Sequence, residues 1–294
     1  LCELPADRGV DPSACDNAAI KAAAGFGRTA TVRYLCELPT DRGVDPSACD
    51  NAAIKAAAGL GHTATVRYLC ELPADRGVDP SAELNATIVA TARNGHVDTV
   101  RYLCELPDDR GVDPSALDNY AIVAAARNGH VDTVRYLCEL PADRGVDPSA
   151  RGSGAIVEAA RNGHVNTVRY LCELPADRGV DPSSCNNDAV KAAAVHGRLV
   201  VIKYLCELPA DRGVDPSAWD NDAIVAAAMN GHVDTVRYLC ELPADRGVDP
   251  SARGNDAVRA AAMNGHVDTV RYLCELPADR GVDPSARDNA VIGV

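Results

Sequence analysis

Hydrophobic and polar positions along this chain follow one pattern that restarts every 34 residues. Within the copy around residues 120–150, Val131, Val134, Leu137 and Cys138 fall at i, i+3, i+6 and i+7, the spacing of one helical face. Asp132, Arg135 and Glu139 lie on the other side, where they can pair at i+3 and i+4. This predicts a helix B over about residues 131–140 that stops before Pro141. Upstream, Ala121, Ile122, Ala125 and Ala126 centre on one face of a helix A over about 120–127. Asn128-Gly129 ends helix A, glycine supplying the left-handed terminal residue. Between helix B and the next helix A lie PADR and GVDPSA, whose two prolines and one glycine predict a non-helical connection.

The CELP tetrad fixes the period, beginning at Cys2, Cys36, Cys70, Cys104, Cys138, Cys172, Cys206, Cys240 and Cys274. A unit of this size cannot bury its own apolar face and has to stack on its neighbours. The expectation is all-α: a solenoid of stacked helix-turn-helix repeats. It forms a single array over residues 1–294, about 8.6 units without linkers. Asn119 and its equivalents stand where helix A begins and depart from Asn once, to Ser153, so a capping role is expected. Tyr136 and its equivalents are expected to form a packing ladder between units.

The units differ mainly along one stripe. One column holds Tyr120, where other units carry Ala, Gly154 or Asp. A second reads Lys21, Lys55, Val89, Val123, Val157, Lys191, Val225 and Arg259. A third reads Gly25, Gly59, Arg93, Arg127, Arg161, Val195, Met229 and Met263. A fourth precedes the helix, with Cys15, Cys49, Glu83, Leu117, Arg151, Cys185, Trp219, Arg253 and Arg287. Tyr120, Val123 and Arg127 lie opposite the alanine face, so these columns are expected to face solvent. Drifting surface positions become polar, whereas Val, Met, Tyr, Trp and Arg are mixed here. Aromatics, Met and Arg are enriched at interfaces, which favours a binding surface over drift.

Composition narrows the function classes. A formal charge of −13 and few aromatics argue against nucleic-acid binding, which needs a basic stripe and stacking platforms. No apolar run approaches the roughly 20 residues that span a bilayer, so no membrane insertion is expected. The twelve cysteines fall in two repeat columns. Equivalent residues of stacked helices sit roughly 8–10 Å apart, too far for a disulfide, so free thiols and a reducing, intracellular setting such as the cytoplasm are expected. No metal-ligand spacing and no nucleophile–base set occurs, so neither cofactor nor enzymatic activity is expected. Gly25 to Ala30 matches G-x-G-x-x-A formally but lies between two helices with no preceding strand. The repeated histidines, His62 to His266, read as turn-stabilising donors, and the Asn85 sequon falls in the capping column.

NGHVDTVRYLCEL at 128–140 resembles the glycine turn and second helix of the ankyrin repeat, and GVDPSA at 145–150 resembles its G-A-D-x-x-A segment. The resemblance covers the whole chain. The family's T-P-L-H opening is replaced by Tyr120-Ala121-Ile122-Val123, and the segment before helix A is shorter. The resemblance therefore implies projecting fingers reduced to simple turns. A tetratricopeptide reading lacks the W-x-x-L-G-x-x-Y signature and leaves no room for the Pro/Gly loop. By resemblance, a protein partner is gripped along a concave surface made by the first helices. The matching positions are Arg93, Tyr120, Val123, Arg127, Arg151, Val157, Arg161, Trp219, Val225, Met229, Arg253, Arg259 and Met263. The chain begins within helix B and stops within helix A without a polar cap. That motivates an alternative, a structural element that stacks end to end or sits permanently in a larger assembly.

Overall fold

The computed structural model describes residues 11–283, which fall into two compact units divided between Asp147 and Pro148. The first contains α1 (Ala14–Gly25), α2 (Thr29–Glu37), α3 (Ala48–Gly59), α4 (Thr63–Cys70), α5 (Ala82–Arg93), α6 (Val97–Cys104), α7 (Ala116–Arg127) and α8 (Val131–Glu139). The second contains α9 (Ala150–Asn162), α10 (Val165–Glu173), α11 (Ser184–Val195), α12 (Leu199–Cys206), α13 (Ala218–Met229), α14 (Val233–Glu241), α15 (Ala252–Met263) and α16 (Val267–Cys274). No strand occurs among the described residues. Odd-numbered helices are the predicted A helices and even-numbered ones the B helices. Within each unit A packs on A and B on B, with each A also packed on its own B. The fold is an all-α stack of helix pairs. Expectations about the two ends of the array concern residues 1–10 and 284–294, outside the described residues.

The core follows the predicted small-residue face. Ala121, Ile122, Ala125 and Ala126 of α7 are buried, and so are Val134, Leu137 and Cys138 of α8. Each fully buried Ile or Leu contributes roughly 1.5–3 kcal/mol. Alanine between them lets neighbouring helices approach closely. Thr133 joins this core unpredicted, as do Thr65 and Thr99. Thr99 shares a 2.6 Å hydroxyl contact with Thr63, and Thr65 a 2.7 Å contact with Thr29.

One outward assignment was wrong. Val123, Val157 and Val225 are 7%, 8% and 7% exposed, buried within the stack. Within a unit a helix A such as α13 packs on α11 and on α15, so its flanks are covered as well as its inner face, and only a narrow strip is left in solvent. The charged members of that column stay partly exposed by pairing. Lys55 Nζ reaches Glu83 at 2.6 Å, and Lys191 Nζ reaches Asp222 at 2.6 Å.

The start of helix A differs from the capping expectation. Leu117, Asp118 and Asn119 form a left-handed turn at φ 55, 56 and 61, and the right-handed helix runs from Tyr120. Every described A helix opens this way. A left-handed residue costs roughly 1–2 kcal/mol unless it is Gly, Asn or Asp. Those types fill the second and third positions almost throughout, and no β-branched residue occupies any of the three. The asparagine does not cap its own helix. Asn119 Oδ1 accepts the Asp147 backbone N–H at 2.8 Å, and Asn17, Asn51, Asn187 and Asn221 do the same 28 residues on. Asn85, the sequon residue, makes this bond to Asp113.

Three other repeated residues also act on a neighbouring repeat. The connection contains a single 3-10 turn, such as Ala74–Arg76, where a wholly non-helical loop was expected. This turn aims Arg76 at the preceding repeat, donating to Cys36 O at 2.6 Å and Val44 O at 3.1 Å. Arg110, Arg144, Arg212 and Arg280 repeat the two bonds. His62 and His96 place Nε2 at 3.0 and 3.1 Å from the carbonyls of Gly25 and Gly59, the last residues of the preceding A helices. The histidines therefore tie repeats together as well as sitting in a turn. They explain the adjoining glycine: at Gly61 (φ +74) a Cβ would lie 2.5 Å from His96 Nδ1. The tyrosine ladder is present, with Arg33 and Arg67 stacked 4.9 and 4.7 Å from the ring centroids of Tyr68 and Tyr102.

Candidate functional site

The repeated columns are consumed by bonds between repeats, so surface chemistry that differs from one repeat to the next is confined to a few places. The first is the opening residue of the left-handed turn. Its backbone points the side chain outward, leaving Leu117 45% and Trp219 59% exposed, with Arg151 and Cys185 also exposed. The second is the last residue of helix A, where Arg93 and Arg127 are exposed and Met229 and Met263 are 47% and 75% exposed.

Several proposed arginines are engaged internally. Arg253 lies 3.2 Å from Asp222 and 3.6 Å from Asp220, and it donates to the Trp219 carbonyl. Arg259 pairs with Asp256 one turn earlier, and Arg161 lies 3.3 Å from Glu158. These three are half-buried and fix the variable strip as much as they decorate it. Arg93 sits 5.9 Å from the centroid of the half-buried Tyr120 ring, so these two residues form one cation–π surface element. In the first unit the strip therefore gathers Arg93, Tyr120, Leu117 and Arg127. In the second it gathers Trp219, Met229 and Met263 beside the Asp222 ion pairs.

Sequence reasoning missed exposed apolar residues beside this strip. Leu84 takes the second left-handed position, and Phe26 and Leu60 follow the ends of α1 and α3. The available signal was departure from type, since these columns otherwise hold Asp, Gly or Asn, and Asn or His.

The described cysteines are free thiols, and no group of three or more metal-binding side chains gathers among the described residues. Burial pushes the Cys70 thiol up to about 11 and Cys104 to about 12, against the opposing pull of Arg110 and Arg144. Such thiols stay protonated and unreactive at neutral pH. Among the described residues, no helix is long and apolar enough to cross a membrane.

No curated protein matches the chain as a relative. The family model for ankyrin repeats matches three times, at residues 73–151, 122–220 and 192–288, together spanning well over half of the sequence. With the stacked helix pairs and the glycine turn between their members, these matches show that the chain belongs to the ankyrin repeat family.

Proposed function

We propose that the chain is a non-enzymatic recognition scaffold that holds a protein partner on the exposed strip of its A helices. Ankyrin repeats are in general protein–protein interaction modules, and the family is generally non-enzymatic. The observation that carries the finer reading is the exposure of Leu117, Trp219, Met229 and Met263, at columns where other repeats carry Gly, Arg, Cys, Glu or Val. Large apolar and aromatic side chains on a rigid backbone are what interface hot spots are made of. Arg127 and Arg151, and the Arg93–Tyr120 pair, supply the polar rim, whereas Val123, Val157 and Val225 belong to the core. Arg161, Arg253 and Arg259 hold the strip in place.

The test is partner capture by the intact chain against a variant carrying Leu117→Ser, Trp219→Ser, Met229→Ser and Met263→Ser. The substituted side chains are solvent-exposed, so helicity by circular dichroism should be unchanged while capture is lost. A partner retained at wild-type level by a helical variant refutes the assignment.

A further inference from the structure

The loops between repeats form a second surface, separate from the A-helix strip. An open hollow of about 590 Å³ lies between two consecutive loops of the first unit, walled by Leu72, Val78, Asp79, Asp109 and Arg110. The second unit has a hollow of about 480 Å³ at the same columns, Leu174, Val180, Asp181, Asp211 and Arg212. Recurrence at residues 102 apart, three periods, makes this a product of the repeat itself.

The charge in these hollows is lopsided. From CELP to D-P-S each repeat carries one guanidinium and at least three carboxylates, as in Glu71, Asp75, Arg76 and Asp79, with a fourth, Asp108, in the repeat of Asp109. That guanidinium is directed into the protein, Arg110 donating to Cys70 O at 2.5 Å and Val78 O at 3.0 Å. Asp79 spends Oδ1 on the Ser81 backbone N–H and hydroxyl. Asp109 and Asp211 are exposed, and no hydrogen bond or ion pair joins either among the described residues. An apolar floor with an unpaired carboxylate on its rim fits the stem and head of a lysine or arginine.

Spacing selects the backbone that would carry such side chains. Neighbouring packed helices lie roughly 8–10 Å apart, so the equivalent loop columns of successive repeats within a unit share about that period. A polyproline II segment turns once in three residues with about 3.1 Å rise, placing every third side chain on one face about 9 Å apart. We propose that the loop edge docks an extended polyproline-type segment bearing Lys or Arg at every third position, one basic side chain to each hollow.

The test uses two fluorescent peptides of equal length and lysine content, one with lysine at every third residue in a proline-rich frame and one with the lysines clustered. Binding is followed by anisotropy in low salt. The periodic peptide should bind about tenfold more tightly, because only it fills several hollows at once. Asp75→Asn, Asp109→Asn and Asp143→Asn combined should remove that preference. Leu117→Ser with Met263→Ser should leave it unchanged, which separates this proposal from the A-helix reading. Equal affinity for both peptides, absence of binding, or full binding by the triple variant overturns it. So does sedimentation showing that the chain dimerises alone and that the triple variant does not, an outcome that gives the hollows to a second copy.

Discussion

The residue with the largest structural duty for its size is the asparagine of the left-handed turn. Asn51 is buried, holds φ +64, and accepts the Asp79 backbone N–H at 2.8 Å. Asn51→Ala loses both the left-handed tolerance, about 1–2 kcal/mol, and a buried acceptor, about 1–3 kcal/mol. Asn51→Gly keeps the conformation and loses only the bond. Urea midpoints should therefore fall in the order wild type, Gly, Ala, and equal values for the two variants would remove the conformational part of the account. The turn was half-legible in sequence. Its Asp, Asn and Gly content and its lack of β-branched residues are left-handed signals, yet Asn before an apolar run reads equally as a cap. Cysteine exposure gives a second residue-scale expectation. Among the described residues, Cys15, Cys49, Cys185 and Cys274 are exposed, and the other seven are buried. Brief alkylation of the native chain followed by peptide mapping should label those four and spare the rest.

At the scale of the element, the B helices carry two ladders with measurable consequences. Thr133 Oγ1 is buried without a partner because Val97 stands where Thr63 and Thr29 serve Thr99 and Thr65. Val97→Thr should supply the missing contact and stabilise the chain by about 0.5–1.5 kcal/mol. A loss of stability would show that the valine's packing outweighs the bond. The second ladder is Cys with Tyr. The Tyr102 hydroxyl acts on the Cys70 thiol, and burial raises Tyr102 to about 12 and Cys70 to about 11 from an ordinary thiol value of 9.0. The unfolded thiol releases its proton near 9 while the folded one keeps it to about 11–12. Stability should therefore be full below pH 9 and decline as pH climbs through 11–12. A urea midpoint that stays flat from pH 8 to 11 would contradict this. Helix positions and the alanine face were legible because 3.6-residue periodicity reports one core direction. The burial of Val225 was not, because a helix packed between two neighbours, as α13 is between α11 and α15, has additional covered flanks that a single-helix pattern does not encode. The role of Arg76 was hidden for a similar reason: its acceptors Cys36 and Val44 lie 40 and 32 residues away.

For the whole molecule the governing quantity is a formal charge of −13, drawn largely from the repeating loop acids. Like charges at a regular period repel, and salt screens them over roughly 10 Å at 0.1 M. The melting temperature should rise as salt increases from about 10 to 150 mM. A fall would mean that surface pairs such as Lys55–Glu83 outweigh the repulsion. The bonds that join one repeat to the next recur at fixed separations of 28, 32, 37 and 40 residues, and their donors and acceptors sit in the same columns throughout. Excising 34 residues in frame within a unit, or inserting a duplicate, would leave each such bond with an equivalent atom at the same distance along the chain. Copy number is thereby uncoupled from foldability, and descent by slippage or recombination could lengthen or shorten this protein while preserving every junction.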